Sequence, residues 1–178
     1  GFVDCPQRAR KVHEQATPRL GGAAILTSYL GVLLVGGVFI PQLAEMLWGD
    51  NPFGGYILIG AVAIFVIGIL DDLSRLSPKT KLIGEFLVAA IIVWGARFSF
   101  TEVQFLGLGT ISFPEWLGFA LACLWIVGMA NAINLIDGLD GLASGITLMG
   151  LLAVSVVGYL AGITSVTWFA TLLIGCLL

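Results

Sequence analysis

Residues 21–40 run for twenty positions without a charged side chain. A helix of that length reaches roughly 30 Å at 1.5 Å per residue, the hydrocarbon thickness of a bilayer. The same kind of run recurs at 54–70, at 82–96 with Glu85 as its one interruption, at 116–136 and at 142–162. A further apolar run begins at 163 and is still apolar at Leu178. Charged residues make up 11% of the chain and hydrophobic ones 58%, where a soluble domain has roughly 25% charged. Lipid is therefore the solvent for most of this sequence. The expected fold is an all-α polytopic membrane protein: five full transmembrane helices and the start of a sixth, in one integral-membrane domain over 1–178. The chain starts without Met or a signal-peptide n-region and stops inside an apolar run. We expect a piece of a longer protein, incomplete at both ends.

The polar segments between the runs differ in charge. Residues 1–20 are basic, with Arg8, Arg10, Lys11 and Arg19, and 71–81 (DDLSRLSPKTK) reads as a charged loop in which Ser77-Pro78 breaks any helix. Residues 41–53 read as a connector with Glu45, Trp48 and Asp50 but no Lys or Arg. At 98–113 the stretch FSFTEVQF alternates apolar and polar side chains, GLG follows and TISF resumes, which predicts a small β-hairpin against the outer face. Five crossings put 1–20, 71–81 and 137–141 on one side and 41–53 and 97–115 on the other. Seven of the eight Lys and Arg residues fall in the first group, and only Arg97 in the second. The first group is then cytoplasmic. The net charge of −3 says little about partners, because the charges are clustered and their placement matters more than their sum; no nucleic acid is expected as a partner. Cys5, Cys123 and Cys176 lie far apart, with neither metal-site spacing nor a disulfide framework.

On the cytoplasmic side one stretch concentrates polar groups at the end of an apolar run. NAINLIDGLDG at 131–141 repeats amides and carboxylates every third position, as Asn131, Asn134, Asp137 and Asp140, with Gly138 and Gly141 breaking the helix beyond them. Polar groups at the edge of hydrocarbon need partners or a wet cavity, so four on one arc point to a site for a cation or a phosphate. The plainer alternative is a polar helix end in headgroup water. Asp71 and Asp72 repel each other as neighbours, and a divalent cation relieves that conflict. Mg²⁺ takes one or two carboxylates together with water and substrate phosphates. Lys79 and Lys81 suit phosphate oxygens that a metal leaves unneutralised, although lysines beside a span are also topology signals. His13, in the basic segment, reads as a solvated side chain.

PRLGG at 18–22, DD at 71–72 with KL at 81–82, and NAINLIDGLDGL at 131–142 resemble the polyprenyl-phosphate N-acetylhexosamine-1-phosphate transferases. RKVH at 10–13, leading into PRLGG, is most similar to the branch that transfers N-acetylglucosamine-1-phosphate to undecaprenyl phosphate. The resemblance implies a UDP-amino sugar donor, a polyprenyl phosphate acceptor, UMP as the leaving product and Mg²⁺, or Mn²⁺ in its place. It also implies an active site on the cytoplasmic face of the bacterial inner (plasma) membrane and a first membrane step toward an envelope polymer such as lipopolysaccharide or teichoic acid; the oligomeric state stays open, a homodimer among the alternatives. Asp71 and Asp72 would position or deprotonate the lipid phosphate, and Asn134, with Asp72, would ligate the metal. Lys81 would contact the pyrophosphate, and Asp137 and Asp140 would shape the nucleotide side, the Asp140 loop near uracil. Asn131, Arg19 and Lys79 complete the substrate-binding set. The acceptor phosphate monoester has a second pKa near 6, so it is largely dianionic at neutral pH and needs little general-base help. Charge neutralisation and in-line positioning are the harder requirements.

Two departures from that family stand out. Glu85 occupies a position where Gln is frequent, and neither the later GD-containing aspartate segment nor the His-rich loop occurs before Leu178. Residues 1–178 alone are therefore expected to be inactive. Within the family, the phospho-MurNAc-pentapeptide transferases are the main alternative, although they carry a Thr-rich segment where RKVH and PRLGG stand. Intramembrane prenyltransferases want DDxxD, and here Asp71-Asp72 is followed by Leu73, Ser74 and Arg75. A cation transporter would use Asn131, Asn134 and Asp137 as ligands, but such sites sit near the midplane rather than clustered at one face.

Overall fold

Apolar runs become helices and most of the polar punctuation becomes turns, but two stretches expected to be irregular are helical. The computed structural model describes residues 3–4, 17–18, 21–50, 53–74, 76–105, 109–137 and 141–178. A two-residue antiparallel pair, β1 (Val3–Asp4) with β2 (Thr17–Pro18), precedes α1 (Gly21–Phe39) and α2 (Pro41–Trp48). Then come α3 (Phe53–Ser74), α4 (Pro78–Gly95), the hairpin β3 (Glu102–Phe105) and β4 (Gly109–Ser112), α5 (Glu115–Ile136), α6 (Leu142–Leu160) and α7 (Thr164–Leu177). α1, α3, α5 and α6 are each long and apolar enough to cross a membrane. α4 is the fifth expected span, 18 residues with Lys79, Lys81 and Glu85 in its first half, and α7 is the shorter sixth at 14 residues. Val38, Phe39, Leu135 and Leu160 are each more than three-quarters exposed, as side chains that meet lipid would be.

The first correction concerns 41–53. Pro41–Trp48 is helical, because Pro at the first helical position lacks only an N–H that would be unpaired anyway. The break from α1 falls at Ile40, whose N–H still bonds to Gly36 O at 2.7 Å. Leu43 is fully buried and lies against Gly36, where a Cβ would stand 2.8 Å from Leu43 Cδ1. The second correction concerns 71–81. Asp71 and Asp72 lie inside α3, and Lys79 and Lys81 lie inside α4, so only 75–77 separate the helices. Hydropathy marks where lipid ends, and the backbone hydrogen bonds of α3 simply continue another turn. Ser77 then caps α4, its Oγ accepting from Thr80 N at 3.2 Å with Pro78 following.

The described residues group into two units. One comprises Glu45–Asn131. In it α3 packs along α4, and Ala89 and Val93 of α4 form a buried cluster with Ala122, Cys123 and Val127 of α5. The hairpin is antiparallel with Glu102 opposite Ser112 and Phe105 opposite Gly109. Its flank crosses α5 so closely that Phe100 N donates to Gly118 O at 3.4 Å, and a Cβ on Gly118 would run into the Phe100 carbonyl. The other unit holds α1, α6 and α7. Tyr29 donates its hydroxyl to Phe169 O at 3.2 Å, and Ser155 and Thr171 share a hydroxyl bond at 2.8 Å between α6 and α7.

Candidate active site

The candidate site residues of the Glu45–Asn131 unit begin at the end of α3. Lys81 Nζ lies 2.9 Å from Asp71 Oδ2, joining the last turn of α3 to the first turn of α4, with both side chains largely shielded. This pair offsets two unfavourable placements. A carboxylate at the C-terminus of α3 and an ammonium at the N-terminus of α4 each oppose the local helix dipole. Lys79 is exposed beside it, and α4 has no acid in its first turn, so this helix end is positive on two counts. Asp72 is exposed in the last turn of α3.

One turn into α4, on the face that carries Lys81, Glu85 is buried at 6% exposure. It accepts a hydrogen bond from Asn131 Nδ2 of α5, and the same nitrogen donates to Val127 O at 3.0 Å. Asn131 is thus anchored within the protein. Asn134, one turn further along α5, is exposed, and so is Asp137, whose backbone N–H closes the helix on Ile133 O at 3.1 Å. α5 ends at Ile136, and steps of three residues turn by about 60° on a helix, so the row of amides and carboxylates winds rather than holding one arc. Beyond it Gly141 takes φ 75° and opens α6. Arg19, Asp140, His13, Arg75, Gly138 and Cys5 lie outside the described residues. The Glu85–Asn131 contact was not foreseen. Its signal was present in two polar side chains within apolar runs, each of which needs a partner there.

Among the described residues no three His, Cys, Asp or Glu side chains converge as a ready-made metal cage. Asp72 and Asn134, each taken by itself, are exposed hard-oxygen donors, the donor type of an ion that takes few protein ligands and completes its shell with water and phosphate. A cavity of about 470 Å³ lies elsewhere, between the hairpin flank (Phe100, Phe113) and α5 (Leu121, Trp125, Met129), and its lining is almost wholly apolar.

The sequence profile of glycosyl transferase family 4 matches residues 55–178, the stretch that carries Asp71, Asp72, Lys81, Glu85, Asn131, Asn134, Asp137 and Asp140. The chain belongs to that family. Among curated relatives, it is 40% identical to the probable undecaprenyl-phosphate N-acetylglucosaminyl 1-phosphate transferase of Bacillus subtilis, over 91% of this chain and 42% of that protein. It is 34% identical to the undecaprenyl-phosphate alpha-N-acetylglucosaminyl 1-phosphate transferase of Thermotoga maritima, over 89% of this chain and 47% of the relative. It is 32% identical to the phospho-N-acetylmuramoyl-pentapeptide-transferase of Heliobacterium modesticaldum, over 90% and 50%. The chain therefore spans about half the length, or less, of the family members it matches. No solved structure gives a significant match.

Proposed function

We propose that the full-length protein transfers N-acetylglucosamine 1-phosphate from UDP-GlcNAc to undecaprenyl phosphate at the cytoplasmic face of a bacterial plasma membrane. An oxygen of the lipid phosphate attacks the phosphorus that carries the sugar, the bond from that phosphorus to the UMP oxygen breaks, and UMP leaves. The observation that carries this reading is the coincidence of the family match over 55–178 with a polar helix end on which Lys81 meets Asp71 at 2.9 Å. Two relatives named for N-acetylglucosaminyl 1-phosphate transfer support the branch.

On this reading the protein's work is positioning and charge neutralisation, as for other phosphoryl transfers. Lys81 and Lys79, at the positive end of α4, attract the diphosphate, while Asp71 holds the Lys81 ammonium in place between substrates. Asp72 and Asp71 orient the acceptor phosphate and take up any proton it still carries. Asp137 and Asp140 are assigned to the nucleotide side, with Arg19 and Asn131 as further substrate contacts. Mg²⁺, held by Asp72 and Asn134, would neutralise phosphate charge when bound. The apolar helices keep the reacting ends of a lipid and a water-soluble nucleotide at one membrane surface.

The test is a donor swap on the purified full-length protein with undecaprenyl phosphate in detergent. UMP release with UDP-GlcNAc, matched by lipid-linked sugar, is the expected result. Turnover only with UDP-MurNAc-pentapeptide would move the protein to the other named branch, and cation flux in liposomes without turnover of either donor would end the transferase reading.

A further inference from the structure

α4 and α5 are held together chiefly by apolar packing. Ala89 and Val93 pack with Ala122, Cys123 and Val127, and these residues recur at about one-turn spacing along the two helices. Glu85 and Asn131 extend the same ladder by one rung at its polar end, at i−4 from Ala89 and i+4 from Val127. An apolar pair there would continue the packing at lower cost, because an interhelical hydrogen bond in a membrane protein returns little against the desolvation of a carboxyl group. Stability therefore does not account for a nearly fully buried glutamate at this rung. Its effect on geometry does.

Asn131 Nδ2 faces two groups, the Glu85 carboxyl and the Val127 carbonyl. A backbone carbonyl can only accept, so the amide nitrogen must face inward and Oδ1 must face away. Glu85 adds the second fixed point that stops the amide from rotating about its last bond. It also ties α5 to α4 one turn beyond Lys81, the residue that ties α4 to α3. Two of the substrate-binding side chains are thus set relative to each other through one helix.

We propose that Glu85 is a positioning residue for substrate binding, acting through Asn131, whose carbonyl oxygen it presents in a single orientation on the end of α5. The inference rests on the transferase reading above and deepens it. Glu85 itself touches no substrate.

The test uses the full-length protein in detergent with undecaprenyl phosphate, measuring kcat and KM for UDP-GlcNAc and the thermal midpoint of each variant. E85L is expected to raise KM about tenfold, the scale of one lost substrate hydrogen bond. E85Q, which can still accept from Asn131, should stay within about threefold of wild type. N131L should lose as much as E85L, and E85L/N131L should match N131L within about twofold, because one residue acts through the other. A purely structural role would reduce the amount of competent enzyme, lowering apparent kcat at unchanged KM. That pattern, or multiplicative losses in the double variant, would overturn the proposal. Should E85L fail to fold, N131D provides the second route: it sets carboxyl against carboxyl, and E85Q/N131D restores a donor and an acceptor. Recovery of most of the N131D loss supports the pair, and no recovery refutes it. A wild-type protein that turns over neither UDP-GlcNAc nor UDP-MurNAc-pentapeptide would instead remove the transferase reading, and the positioning role with it.

Discussion

Replacing Lys81 by Met leaves Asp71 without the ammonium that its Oδ2 meets at 2.9 Å. At that distance and an effective dielectric of about 20, the bare attraction is about 6 kcal/mol. Most of it is cancelled by the hydration both groups give up and the freedom the lysine loses. The side chains retain 21% and 29% of their exposure, which puts the pair between open-surface pairs worth about 0.2–1 kcal/mol and buried ones whose rupture costs about 3–5 kcal/mol. We expect K81M and D71N each to cost about 1.5 kcal/mol and the double variant about 2 kcal/mol, a coupling of about 1 kcal/mol. The measurement is equilibrium unfolding of the four proteins in one detergent, followed by circular dichroism at low and high salt. More than half of the coupling should survive at high salt, because the pair is shielded from mobile ions. Additive losses, within about 0.3 kcal/mol, would mean that Lys81 and Asp71 do not meet in the folded protein. The described link between α3 and α4 at this end would then be wrong.

Other substitutions probe single steps of the same reasoning. G118A should lower stability by about 1–3 kcal/mol, because its Cβ would enter the Phe100 carbonyl, while G128A in the same helix has open space and should gain up to about 1 kcal/mol; thermal melts compare the two. S77A removes the cap that receives Thr80 N and should cost about 1 kcal/mol, read by denaturant unfolding. Treatment of the full-length protein with EDTA should abolish UMP release, and Mg²⁺ or Mn²⁺ should restore it; turnover that persists in EDTA would remove the metal from the account.

Much of this architecture was legible because membrane helices announce themselves by length and charge. The runs at 21–40, 116–136 and 142–162 match α1, α5 and α6 to within two residues at each end. The alternating stretch at 98–113 holds the hairpin, and the expected break falls at Ser77-Pro78, where α4 begins. What misled was the use of hydropathy to place helix ends. Asp71, Asp72, Lys79 and Lys81 look like loop residues because they are charged, yet each sits in a helical turn with its backbone bonded along the axis. Residues 41–53 read as a connector, yet Pro41 is a first helical residue. The pairing of Glu85 with Asn131 spans 46 residues and depends on the antiparallel register of α4 and α5, which no local pattern encodes. Asn131 and Asn134 look equivalent as letters, but one is tied inward and the other is exposed.

The central claim is that the carboxylates at the end of α3 and those beyond α5 work at one surface of the membrane. The most direct measurement is labelling of single cysteines, D72C and D140C, in the full-length protein with Cys5, Cys123 and Cys176 replaced. A membrane-impermeant maleimide would be applied to right-side-out and to inverted vesicles. Both positions should react only in inverted vesicles. If the two react in opposite preparations, the residues face different compartments and cannot share a substrate.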